Sequence, residues 1–297
     1  MQNLTIHQFI NNAFKNYRSS EELEELKLQL LHDLDEKFQE LCSHGLPEIE
    51  AAQKTLATVG DIKEIIDAYD LKKEHHKHKS YRFKNLENCD FSNSDLPKTS
   101  FSLSNLDRAD LSNSNLPSGN FRMSNLDKVN FANNTITNGR FSLSNLDKAN
   151  FSHASLENSK FNFSNLDSAD FSHANLKGSS LRFSNLEDVN FTGANLSNCI
   201  LSKSNLEDVI VRDAILVNTN FNCSNLEGIN FDGLTLFNVN FRWANLKNCS
   251  FRNCVLRQVK FKTRSLKNVD FSGAQIDEET YNCLVTKDVN LGNTYRI

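Results

Sequence analysis

From Leu86 to Ile276 every fifth residue is apolar, in 39 consecutive positions, and each is Leu, Phe, Ile or Val. Tyr81 extends the series by one. The residue two places before is usually small, as at Ser104, Ala109, Ser114 and Gly119, with Asn or Asp commonly between the two. A period of five fits neither the 3.6 of a helix nor the 2 of a strand. It requires a backbone that turns a corner every five residues. A longer period of 20 overlies it: Ser-Asn-Leu followed by Asp or Glu recurs at 104–107, 124–127, 144–147, 164–167, 184–187, 204–207 and 224–227. Sorted four ways, the central residues form one ladder of Leu from Leu86 to Leu266 and an opposite one of Leu or Ile from Leu96 to Ile276. The two between them are mainly Phe, as at Phe121, Phe131, Phe141 and Phe151. Like stacks on like.

Those residues resemble the pentapeptide-repeat family, whose unit reads Ala-Asp/Asn-Leu-x-x. The resemblance covers residues 81–276. It implies a mainly β fold, a right-handed quadrilateral parallel β-helix with four pentapeptides per square coil. The central residue and the small residue before it would point inward, and the other three outward. The 39 units predict about ten coils, a rod of roughly 47 Å at about 4.8 Å per rung. Each coil touches only its neighbours, so both ends need cover against strand recruitment.

Residues 1–74 read as a small all-α domain of four helical segments. Thr5 is expected to cap the first, with Ile6, Phe9, Ile10, Ala13 and Tyr17 on one face. Ser19 and Ser20 precede a longer helix striped by Leu23, Leu26, Leu30, Leu34, Phe38 and Leu41. Gly45 stops it and Pro47 opens the next. Gly60 and Asp61 separate that helix from a last one carrying Ile62, Ile65, Ile66 and Tyr69. Leu26, Leu30 and Leu34, then Gly45-Leu46-Pro47-Glu48, Ala51-Ala52 and Val59-Gly60-Asp61, resemble short helical adaptor domains of Gram-positive bacteria. That resemblance implies signal relay or partner holding and supplies no catalytic residue. Residues 75–80 form a His/Lys-rich linker, either a loose metal site or a solvated hinge. Residues 277–297 leave the five-residue phase, and Tyr281, Leu284 and Val285 are expected to cap the last coil.

On a rod of fixed phase the outward positions can be compared face by face. Two residues after the centre, three faces are polar, small or charged throughout. The fourth reads Phe83, Leu103, Met123, Leu143, Phe163, Phe183, Lys203, Cys223, Trp243, Thr263. Such a stripe marks a partner or self-association surface, a surface covered from within the chain, or plain stacking. A second ladder follows the Leu centres: Glu87, Asp107, Asp127, Asp147, Asp167, Glu187, Glu207 and Glu227, before flipping to Lys247 and Lys267. It is a recognition strip or ordinary corner chemistry. The last two coils carry a basic collar of Arg242, Lys247, Arg252, Arg257, Lys260, Lys262, Arg264 and Lys267, a candidate phosphate contact or a solvated rim. Arg264 occupies an inward small position, so the coil there is expected to be distorted. Cys89, Cys199, Cys249 and Cys254 occupy small inward positions as compact apolar filler.

Composition narrows the function. Phe is used 22 times against 5 Tyr and 1 Trp, one aromatic for one repeated task. The net charge of −4 excludes a grossly basic nucleic-acid binder. No run approaches the roughly 18 apolar residues of a membrane span, and the N-terminus lacks a signal-peptide pattern. The 7 cysteines, without paired spacing, suit a reducing, cytoplasmic setting. Phosphate loops, zinc-protease motifs and nucleophile elbows are missing from the sequence, so no enzyme, cofactor or metal is expected. The reading is a non-enzymatic protein–protein interaction scaffold. The alternative, drawn from the family resemblance, is a DNA gyrase-binding protein of the quinolone-resistance type that acts by DNA mimicry. Residues 81–276 carry 21 basic and 18 acidic side chains, which departs from a mimic's strongly negative surface.

Overall fold

A unit with two residues inward and three outward must bend sharply after each centre, and the chain does so with a left-handed residue. In the computed structural model, which describes residues 3–15, 21–59, 62, 79–263, 266–287 and 289–297, every residue two after a centre from Phe83 to Gly273 has a positive φ, apart from Thr263. The non-glycine values lie between 52° and 64°. The residue before each centre pairs in parallel with its counterpart 20 residues on, as in Asn105, Asn125 and Asn145. Backbone bonds then run coil to coil, for example Leu106 N to Asn125 O at 2.8 Å and Asn125 N to Ser104 O at 3.0 Å. This is the right-handed parallel β-helix, mainly β, with a small helical region before it.

All central residues from Leu96 to Ile276 are buried. Phe121 stacks on Phe141 at 4.9 Å and 1°, while Phe131 meets Phe141 edge-on at 5.6 Å and 85°. Two Phe ladders at right angles thus satisfy both favoured ring geometries at once.

The Ser of each Ser-Asn-Leu motif has a task beyond smallness. Ser124 Oγ donates to Phe101 O at 2.7 Å and accepts from Ser104 N at 3.4 Å. The hydroxyl therefore stands between the two groups that a closed turn would join directly. The same bridge repeats up the rod, through Ser144, Ser164, Ser184, Ser204 and Ser224. It ends where Ala244 replaces Ser: there Ser224 N bonds Phe221 O directly at 3.1 Å. Beside it runs an Asn ladder. Asn105, Asn125, Asn145, Asn165 and Asn185 each donate Nδ2 to the Asn one coil earlier, at 2.9–3.3 Å.

The tail closes the C-terminal end. Three short strands on one face, β1 Thr235–Phe237, β2 Val255–Arg257 and β3 Gln275–Ile276, are joined by a fourth from the tail, β4 Tyr295–Arg296, in parallel order. Between them, helix Glu278–Leu284 is capped by Asp277, whose side chain accepts from Thr280 N and Gln258 N, both at 2.9 Å. Leu284 is buried and Tyr281 packs on the core, but Val285 is 54% exposed and does not join the cap. At the other end Tyr81, Leu86 and Phe91 are only partly buried.

The chain divides into two compact units, Met1–His76 and Lys77–Ile297. The first contains α1 Asn3–Phe14, α2 Glu21–Ser43 and α3 Glu48–Thr58. Thr5 lies inside α1 and does not cap it. Ile6, Ile10 and Phe14 are buried, while Phe9 is turned outward. Their i, i+4, i+8 spacing keeps them on one side of the helix, and Phe9 lies at the edge of that face. Leu26, Leu30 and Leu34 form the buried stripe of α2. Gly45, at φ 85°, ends it, with Leu46 N bonded to Leu41 O and Gly45 N to Cys42 O. That pair of bonds is a Schellman stop. The last helix expected around Ile65, Ile66 and Tyr69, the linker histidines and Arg264 lie outside the described residues.

Candidate interaction surface

A left-handed backbone costs an ordinary L-residue about 1–2 kcal/mol, and Asn, Asp, His and Gly bear it most readily. One corner mixes Arg108, Lys128, Lys148 and Ser168 with Asn, Asp and Gly, and two others largely obey that preference. Of these two, one reads Asn93, Asn113, Asn133, His153, His173, Gly193, and the other Asn138, Asn158, Gly178, Asn198, Asn218, Asn238. The corner after the Phe83 series does not. Phe83, Leu103, Met123, Leu143, Phe163, Phe183 and Trp243 all hold φ between 56° and 64°. These are residues the turn itself disfavours.

The structure brings Phe83 through Phe183 into one ladder and leaves Trp243 separate, beyond Lys203 and Cys223. Phe83 and Trp243 are exposed, at 42% and 46%. Leu103 through Phe183 are half-buried. Phe163 and Phe183 stack at 4.8 Å. Thr263 is buried and drops out. Cations lie on the rings: Lys203 Nζ is 4.9 Å and the Arg182 guanidinium 5.5 Å from Phe183, and Lys262 Nζ is 5.6 Å from Trp243.

The acidic ladder is partly neutralised from within. Arg108, Lys128 and Lys148 pair with Asp107, Asp127 and Asp147 at 3.1, 2.7 and 2.9 Å. The hydrogen bond it donates to Asp147 holds the Lys148 ammonium above its ordinary value. Further up, desolvation and then the charges of Asp167 and Glu207 raise the Glu187 carboxyl. The collar is divided. Lys247 bonds Glu227, which that bond holds below its ordinary value. Arg252 pairs with Asp232 at 2.8 Å. Arg242, Arg257, Lys260 and Lys267 are exposed.

Cys199, Cys249 and Cys254 are buried at their small inward positions, as expected of compact filler. Each also donates Sγ–H to a carbonyl one coil back, Leu176, Leu226 and Phe231, all at 2.9 Å. Unlike the bridging Ser they sit over turns that already close directly, as Ser179 N does on Leu176 O at 2.9 Å. Burial pushes all three thiols up to about 12. Among the described residues no cluster of His, Cys, Asp or Glu is arranged to hold a metal ion. No described helix is long and apolar enough to cross a membrane.

One charge pattern lies outside the acidic ladder and the collar. The face leading into the apolar corner, residues 79–83, 99–103 and so on to 259–263, has ten Lys or Arg and no Asp or Glu. Sorting charges by face, as was done for apolar residues, reveals it.

Comparison with known proteins agrees with the repeat. A family model of pentapeptide repeat regions matches residues 84–161. One of pentapeptide repeats (8 copies) matches 164–202, 199–233 and 236–278. HetL, a pentapeptide repeat protein involved in heterocyst differentiation regulation in the cyanobacterium Nostoc, is 25% identical with a TM-score of 0.35, over 71% of this chain and 94% of that one. QnrB1, a plasmid-mediated fluoroquinolone resistance protein, is 19% identical with a TM-score of 0.36, over 70% and 98%. A thylakoid-lumen pentapeptide repeat protein of Arabidopsis thaliana is 26% identical with a TM-score of 0.21, over 37% and 69%. No curated protein matches the chain.

Proposed function

The chain belongs to the pentapeptide-repeat family, and from that premise we propose that it is a non-enzymatic protein-interaction scaffold whose working surface is the apolar corner from Phe83 to Phe183, with Trp243 beyond. One observation carries this: large apolar residues recur at left-handed positions on this corner alone. The turn gains nothing from them, and the two Asn- and Gly-rich corners show what it prefers. A rigid ladder presents them without an ordering cost on binding. The helical unit serves as an adaptor to a second protein.

The test compares wild type with Leu143→Asn/Phe163→Asn/Phe183→Asn as baits in host extract. A captured protein, once purified, should bind wild type and lose at least about tenfold affinity for the variant. Equal binding to both would remove the corner from the function. Topoisomerase binding by DNA mimicry is the weaker reading, because a face bearing ten cations and no carboxylate opposes it. A gyrase assay in competition with DNA tests it directly.

A further inference from the structure

We infer that the corner takes an acidic amphipathic helix: a protein segment with one apolar stripe flanked by Asp and Glu. This rests on the docking role just proposed and adds the chemistry of the partner.

Charge is the first ground. The face beside the corner carries cations and no carboxylate over ten coils. Arg140, Arg182, Lys203 and Arg242 are exposed there, and none is ion-paired among the described residues. On the acid-bearing faces Arg108, Lys128, Lys148 and Arg252 are paired internally. Exposed cations such as Arg140, Arg182, Lys203 and Arg242, on a face without carboxylates, are complementary to an anionic partner.

Three other occupants fit less well. A second copy meeting this face with its own would set cations against cations. A bilayer calls for apolar side chains that project, whereas Leu103 to Phe183 lie stacked and half-buried. Single-stranded nucleic acid needs ring faces for its bases, and Leu103, Met123 and Leu143 have none. A helix lying along the ladder meets these limits. Six rungs from Phe83 to Phe183 span about 24 Å, at about 4.8 Å per rung. At 1.5 Å per residue that is a helix of about 16 residues, with apolar contacts once per turn.

The experiment uses the full chain and three labelled peptides of about 18 residues in fluorescence anisotropy. All share a Leu stripe at helical spacing; the flanking positions are Glu, Gln or Lys. The Glu peptide should bind at least about tenfold tighter than the Gln peptide, and the Lys peptide should not bind. Raising salt from about 50 to 500 mM should weaken the Glu peptide at least about tenfold. Arg140→Glu/Arg182→Glu and Leu143→Asn/Phe163→Asn should each do the same, with circular dichroism unchanged. If Gln and Glu peptides bind equally and the Leu143→Asn/Phe163→Asn change weakens both, the acidic partner is overturned while the docking corner stands. If the peptides fail but a dT20 oligonucleotide or vesicles of 7:3 phosphatidylcholine and phosphatidylserine bind through Arg140 and Arg182, the class of partner is overturned. If no probe binds and neither variant alters capture from extract, the docking role falls with it.

Discussion

Phe163 and Phe183 lie with ring centroids 4.8 Å apart and planes 5° from parallel, while their backbones hold φ of 60° and 57°. The two facts oppose each other in energy. A stacked aromatic pair contributes about 0.5–1.5 kcal/mol beyond its area. The left-handed conformation costs about 1–2 kcal/mol at each residue. One stacked pair therefore offsets only part of the cost of its two corners.

Replacing a corner residue should accordingly leave the rod standing. Leu143→Asn exchanges half-buried apolar area for a residue suited to the turn, and urea unfolding should shift by no more than about 1 kcal/mol. Leu146→Ala, three residues on and fully buried, should cost about 2–5 kcal/mol. Equal losses at both would show that the corner is structural.

Ser164→Ala should cost about 1 kcal/mol and not the full penalty for stranding two buried backbone groups. Its hydroxyl bonds Phe141 O at 2.7 Å and receives Ser144 N at 3.2 Å. When it is gone the turn can close on itself, as Ser224 N does on Phe221 O beneath Ala244. A loss beyond about 3 kcal/mol would mean that mid-rod corners cannot close.

Cysteine labelling should separate two populations. Cys199, Cys249 and Cys254 are buried with thiols raised to about 12, so a maleimide at pH 7.5 should leave them unmodified in the native protein. Cys223 is exposed and should react fully. Peptide mapping by mass spectrometry reads both, and modification of Cys254 before unfolding would contradict the buried position.

The tail should loosen in acid. Burial alone would raise the Asp277 carboxyl, but bonds from Thr280 and Gln258 and the charge of Arg257 hold it below its ordinary value. Its contribution is complete above the usual carboxylate range near 4 and is lost as pH falls through the depressed folded value. Asp277→Ala should cost about 1 kcal/mol at pH 7 and raise hydrogen exchange over 278–287. The difference from wild type should shrink as pH falls through the depressed folded value, where wild type loses the same charge.

The core was legible because each inward residue declares itself by size and phase. What stayed hidden depends on partners 20 residues away. Ser164 reads as merely small, since the groups it joins lie in neighbouring coils. Cys199 reads as apolar for the same reason. The strand at Tyr295–Arg296 was unexpected because Arg296 stands opposite Ile276, where every earlier coil has an apolar residue. In the helical unit Thr5 looked like a cap, but α1 begins at Asn3. The left-handed corners were readable from Asn, His and Gly on two faces, and the apolar one gains its meaning only by contrast.

The fixed 20-residue rung gives the protein a modular grammar. Inserting or removing a whole coil lengthens or shortens the rod and leaves every outward column aligned. Removing one pentapeptide keeps all inward residues apolar yet rotates everything downstream by a quarter turn. A lesion of five residues upstream would thus keep the inward positions apolar while setting Phe columns on Leu columns, and would bring Ser168 and Asp188 to the corner where Phe163 and Phe183 now stack. Length is free to drift in this molecule; phase is not.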